Sequence, residues 1–127
     1  MEVWLPVRQH WNTRFKGLGS GGLGGVLPYG TMARDVEHGY AVAATDTGHA
    51  GYGFDGAFAL GHPEKIIDYG FRATHLTALT GEAFTSTYYG KSPTHTYFEG
   101  CSQGGQEGLM SRAPQSRDGT EDLPIGR

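Results

Sequence analysis

Apolar residues recur along this chain with two different periods. Four short apolar or aromatic runs read as strands: EVWLPV from Glu2, TRFKGLG from Thr13, YAVAATDTG from Tyr40 and THTYFEG from Thr94. Pro6 argues that the first lies at a sheet edge, because proline cannot donate to a strand ladder. Tyr40 to Ala44 is almost continuously small and apolar, as in a strand covered on both faces. Between these runs the spacing changes to three and four. YGTMARDVEHG has helical character, with Gly39 as its stop. The longest helix is predicted from Pro63, which suits a first helical position, to about Tyr88, with Gly90 beyond its end. Ile66, Tyr69, Ala73, Leu76, Leu79 and Ala83 mark its apolar face. GYGFDGAFALGH reads as a loop, and GQEGLMSRA as a last helix after a turn at Gly100 to Gly104. Strands alternating with helices predict an α/β fold, a mostly parallel sheet with helices on both faces. The stretch from Pro114 is polar, has no period and reads as disordered.

Composition narrows the function classes. The chain has 127 residues, enough for one domain. A net charge of −3 gives no reason to expect nucleic acid or an anionic membrane as partner. No apolar run approaches the roughly 18 residues of a membrane span. The opening MEVWLPVRQH lacks the basic and apolar regions of a signal peptide. A single cysteine, Cys101, permits no internal disulfide. The 22 glycines cluster at turns and are not periodic.

Two glycine clusters bear on chemistry. Gly100-Cys101-Ser102-Gln103-Gly104 fits the G-x-S-x-G nucleophile elbow, in which serine stands on a sharp strand-to-helix turn. That turn is crowded, so glycine is needed on either side. The helix that follows aims its free N–H groups, beginning with that of Gln103, at a developing oxyanion. The second cluster, Gly17 to Gly25, reads as a loop whose backbone can approach a substrate carbonyl. In α/β-hydrolases such a loop supplies the other oxyanion N–H. Gly17 to Gly22 also matches G-x-G-x-x-G, but LGGVLP is a poor opening for the helix a dinucleotide site requires. YYGKSP fails as a phosphate loop because Thr85 stands where glycine is needed and Pro93 blocks a following helix. The six histidines show no metal-binding spacing. His49 and His62 flank a loop and are candidates for lining a cleft, His75 reads as a packed side chain, and Asp46 as a turn-stabilising residue.

A serine nucleophile needs a base and an orienting acid. In α/β-hydrolases both follow the serine along the chain. Here every histidine precedes Ser102, and Asp118, Glu121 and Asp122 lie in the polar tail. Two readings stay open on these grounds: a false match, or the front half of a longer enzyme.

Longer segments resemble a known family. VEHGYAVAATDTGH, DGAFALGHPEKIIDYGFRATH, YYGKSP and YFEGCSQGGQEGLM look like segments of the tannase and feruloyl esterase family, and WNTRFKGLGSGG is similar to its WNGRF segment and glycine loop. The resemblance covers about Val3 to Met110, in the family's order. It implies a secreted or periplasmic serine esterase with an α/β-hydrolase core and a lid inserted after the nucleophile region. It implies esters of aromatic acids such as gallate, ferulate or terephthalate as substrates, and calcium in the lid. By the same resemblance Ser102 is the nucleophile, and the Gln103 N–H and a glycine N–H near Gly21 form the oxyanion hole. Cys101 would be half of a disulfide to a second cysteine just after the catalytic histidine.

The chain departs from that pattern by lacking the lid, acid, histidine and second cysteine. The expectation is therefore a partial α/β-hydrolase core over residues 1–113, truncated after the nucleophile helix, with residues 114–127 an aberrant, frameshifted or disordered ending. No cofactor is expected within it. Its partners would be an aromatic ester and the missing C-terminal half of the fold. Alone it should be inactive, and aggregated or partly molten, because a sheet cut after the elbow strand leaves an edge uncovered. Two other classes compete: a non-catalytic α/β binding module, and a nucleotide-binding domain using Gly17 to Gly22.

Overall fold

The computed structural model describes residues 1–51 and 53–112. Four strands form one sheet in the order β1-β3-β2-β4. They are β1 (Glu2–Trp4), β2 (Arg14–Leu18), β3 (Ala41–Ala44) and β4 (His95–Glu99). β2 pairs in parallel with both β3 and β4, and β1 runs antiparallel on β3. The strand before Pro6 is thus an edge strand, and the sheet is mostly parallel, as the residue pattern implies.

Each sheet face has its own core. Phe15, Ala41 and Ala43 pack with Trp11 on one side, joined by Val3, Leu5 and Tyr89. Leu18, Val42 and Ala44 pack with Met32 on the other, joined by Val36 and Tyr40. All four residues of β3 are buried, the expected mark of a strand with both faces covered. Helix α1 (Tyr29–Glu37) covers the second face through Met32, and Gly39 follows it at φ 85°, where a side chain would be strained.

The long helix runs from Pro63 to Tyr89 but changes winding on the way. α2 (Pro63–Ile67) passes through a π turn, Asp68–Arg72, into α3 (Ala73–Tyr89), which Gly90 ends in the left-handed conformation. Its apolar stripe does not face the sheet. Ile66 is 53% exposed and Leu76 50%, while Thr74, Thr77, Gly81 and Thr85 are buried. Distance explains the reversal. A Cβ on Gly81 would lie 2.6 Å from the Phe15 ring and 2.8 Å from Ala43 Cβ, so α3 sits too close to the sheet for leucine. The Thr77 and Thr85 hydroxyls donate to the carbonyls of Ala73 and Gly81, each at 2.7 Å, while the buried Thr74 hydroxyl has no partner among the described residues.

The last helix, α4 (Gln103–Arg112), follows β4 after three residues. The predicted tail, residues 114–127, lies outside the described residues. Among the described residues no helix is long and apolar enough to cross a membrane.

Candidate active site

The connection from β4 to α4 is a sharp turn with Ser102 at its tip. Ser102 is exposed and has φ 57°, a left-handed conformation rare outside glycine that costs on the order of 1–3 kcal/mol. The helix starts at once: the Gly104 N–H donates to the Cys101 carbonyl and the Gly105 N–H to that of Ser102, both at 3.0 Å. Gln103 opens the helix, and among the described residues its N–H has no acceptor. Glycine is required on both sides of the serine. A Cβ on Gly100 would meet Gly104 backbone at 2.4 Å, and one on Gly104 would meet the Ser20 carbonyl oxygen at 2.9 Å.

The glycine loop after β2 lies directly on this elbow. A Cβ on Gly19 would fall 2.5 Å from Gly104 Cα. The Gly19 N–H donates to the Glu99 carbonyl at 2.9 Å, tying the loop to the last residue of β4. Farther on, the loop is fastened to the segment after β3. The Leu23 N–H bonds the Gly53 carbonyl at 2.6 Å and the Gly25 N–H that of Asp46 at 2.9 Å. No helix opens at Gly22; the next one begins only at Tyr29, which removes the geometry a dinucleotide fingerprint needs. The Gly21 N–H has no acceptor among the described residues. A depression of about 350 Å³ opens beside the elbow, lined by Ser20, Gly21, Thr31, Glu99, Gly100 and Cys101. Cys101 is exposed with a free thiol.

Two features of the site carry no sequence motif. Glu107, one turn into α4, is 1% exposed and reaches back to the glycine loop. One carboxylate oxygen accepts the Ser20 N–H at 3.0 Å and the other accepts the Ser20 hydroxyl. Burial pushes the Glu107 carboxyl above its ordinary range, and the two bonds from Ser20 pull against that rise. Its only sequence signal is spacing: Gln103, Gly104 and Glu107, all buried, recur at the three-residue and four-residue steps of one helix face. On the other side of β4, Lys16 lies 2.9 Å from the buried Asp35 of α1 and 2.8 Å from Glu99. Arg34 joins the same two carboxylates at 3.2 and 3.3 Å. Burial alone would lower the Lys16 ammonium; its bonds to Glu99 and Asp35 outweigh this and hold it above the usual range. The cluster pins the end of β4, the strand that delivers Ser102.

Among the described residues no histidine hydrogen-bonds Ser102. His49 is 8% exposed and stacks on Phe58 with ring centroids 3.6 Å apart, under the loop that holds Gly24. His62 caps the start of α2, is exposed and lies 3.2 Å from Glu64. His75 is half-buried on α3. The Asp46 carboxylate accepts the Gly48 N–H at 3.1 Å, the turn-stabilising role its position suggested. Among the described residues no group of three or more His, Cys, Asp or Glu is arranged to hold a metal ion. Asp118, Glu121 and Asp122 lie outside the described residues.

Comparison with known proteins gives this geometry a context. Residues 1–121 match the tannase and feruloyl esterase family, a match that continues past residue 113. A probable feruloyl esterase B-1 of Neosartorya fischeri is 38% identical over 121 residues, covering 94% of this chain and 22% of that protein. An uncharacterized esterase of Xanthomonas campestris is also 38% identical, over 93% of this chain and 21% of its own length. Among solved structures, feruloyl esterase B from Aspergillus oryzae superposes with a TM-score of 0.79 at 34% identity, covering 86% of this chain and 21% of that one. Tannin acyl hydrolase from Aspergillus niger superposes with a TM-score of 0.72 at 28% identity, covering 85% and 21%. The sheet and its helices are part of an α/β-hydrolase fold. The chain spans about a fifth of the length of these relatives. It belongs to the tannase and feruloyl esterase family.

Proposed function

We propose that this segment supplies the nucleophile and the oxyanion hole of a secreted serine esterase acting on esters of aromatic acids. Ser102 Oγ attacks the ester carbonyl carbon. Its proton passes to a base, the carbonyl oxygen becomes an oxyanion held by the Gln103 and Gly21 N–H groups, and the alcohol leaves. Water then hydrolyses the acyl-serine. The observation that carries this reading is the strained Ser102 at φ 57° between two glycines that no larger residue could replace. Such strain is retained where the surroundings over-determine it, commonly at reacting groups.

The base and acid come from outside these 127 residues, as do the lid with any calcium and the partner for Cys101. Two surfaces support a covering remainder of the fold. β4 is hydrogen-bonded on its β2 side, with the opposite edge not paired among the described strands. Leu76, Leu79, Ala83 and Phe84 line a shallow apolar hollow of about 440 Å³ on the outer side of α3.

The test is a hybrid in which residues 1–112 replace the matching segment of Aspergillus oryzae feruloyl esterase B. It should hydrolyse methyl ferulate, and Ser102→Ala should cut kcat by at least about 10⁴-fold. A hybrid that melts cooperatively yet neither hydrolyses the ester nor reacts with a fluorophosphonate supports a non-catalytic binding module instead.

A further inference from the structure

Glu107 has no part in the chemistry just described, yet it is among the largest fully buried side chains of the protein. A carboxylate is rarely buried without a task, because desolvation disfavours its charge. Here both oxygens are committed to one residue, Ser20, through its N–H and its hydroxyl. Ser20 sits between Gly19, which touches Gly104 of the elbow, and Gly21, whose N–H faces no acceptor among the described residues. Glu107 therefore spans from the nucleophile helix to the loop by side chain, while Gly19 and Gly104 span the same gap by backbone contact.

We infer that Glu107 is a positioning residue: its buried carboxylate clamps Ser20 so that the Gly21 N–H stays at a fixed distance from Ser102. The inference rests on the esterase reading above. The loop needs such a clamp because glycine lacks intrinsic conformational preference. Four glycines surround Ser20: Gly17, Gly19, Gly21 and Gly22. An oxyanion donor is useful only when held at hydrogen-bond distance from where charge will develop, and a shift of about 1 Å is costly. The clamp is local to the two elements that carry the donors. Nucleophile and loop thus move together as one body, whatever the rest of the protein does. Tyr69, on the π turn, lies within range of the same charge: its phenol is pushed upward by burial first and by the Glu107 charge second.

The experiment uses the hybrid enzyme with Glu107→Ala, Glu107→Gln and Ser20→Ala. Methyl ferulate kinetics and hydrogen exchange at the Ser20 amide are read together. Glu107→Ala should lower kcat by about tenfold or more with KM within about twofold, since a transition-state donor is displaced and substrate binding is not. Exchange at the Ser20 amide should speed by a similar factor while the β3 amides keep their protection. Glu107→Gln can still accept the Ser20 N–H, and its amide can donate to the Ser20 hydroxyl, so it should recover most of kcat. If Glu107→Ala does not fold, Ser20→Ala decides: loss of one of two bonds should cost kcat about threefold with KM unchanged. The proposal is overturned if kcat stays within twofold in Glu107→Ala, or in Ser20→Ala where the former does not fold. It is equally overturned if Glu107→Gln is as impaired as Glu107→Ala, or if KM rises in step with the loss. Should Ser102→Ala leave activity intact, the esterase reading fails while the exchange measurement still reports on the clamp.

Discussion

The two helices on the α3 side of the sheet invert the usual relation between hydrophobicity and burial in different ways. α3 turns its leucines outward and packs on threonines and one glycine. α4, which looks polar, buries Gln103, Gly104 and Glu107. In both, the buried positions keep helical spacing; what changes is the quantity that selects them. For α3 it is size, because at Gly81 the helix approaches Phe15 and Ala43 too closely for any side chain, and the positions flanking it on that face carry nothing larger than threonine. For α4 it is hydrogen bonding, because the helix must be fastened to a glycine loop that offers amides and a hydroxyl rather than methyl groups. One helix is fitted to a sheet, the other to a site.

The comparison can be strained at its tightest points first. Gly100→Ala forces a Cβ to within 2.4 Å of Gly104 backbone, so the elbow must open. In the hybrid enzyme this should reduce kcat by at least about 10²-fold, checked by ester hydrolysis on protein whose melting is still cooperative. Gly81→Val should destabilise the fold by about 3 kcal/mol, read from urea unfolding, because two neighbouring core side chains would have to move. A loss below about 1 kcal/mol would mean that α3 can slide away and that size does not select its buried face.

A pH series sharpens the contrast between the two helices. Burial raises the folded-state carboxyls of Glu107 on α4 and Glu82 on α3, the latter opposed by a bond from Thr96. A raised carboxyl favours the folded state fully below its unfolded value of about 4.3 and loses that contribution as pH rises through the folded value. Stability should therefore fall from about pH 4 upward on account of these groups, and melting curves of Glu107→Gln and Glu82→Gln should each show a flatter decline. At the small end, Leu76→Ser, in the apolar stripe of α3, should cost the hybrid about 1–2 kcal/mol in urea unfolding where the remainder of the fold covers that hollow. A change of no more than about 0.5 kcal/mol would show that the hollow stays open to solvent.

Much of this was legible in the residues because strands and turns are written locally. The unbroken AVAA of β3, the proline after β1 and the glycine after α1 each have one physical reading, and the structure agrees. The elbow was legible for the same reason: Gly100, Ser102 and Gly104 satisfy a steric demand internal to five residues. The inward face of α3 was not, because its apolar period is real but the separation from the sheet is a tertiary quantity. Neither was the π turn at Asp68–Arg72, which no composition marks. Glu107 carries no local signal, because its partner, Ser20, is 87 positions away and both residue types are ordinary surface polar groups. The contrast between His49 and His62 is likewise tertiary: His49 is buried and stacked on Phe58, whereas His62 is exposed at the start of α2.

The central claim is that Ser102 is the reacting group. Its most direct test is to treat the hybrid enzyme with a fluorophosphonate and locate the adduct by peptide mass spectrometry. A single adduct on Ser102, absent from Ser102→Ala, is the predicted result. An adduct on another residue of this segment, or undiminished labelling in Ser102→Ala, would contradict the account.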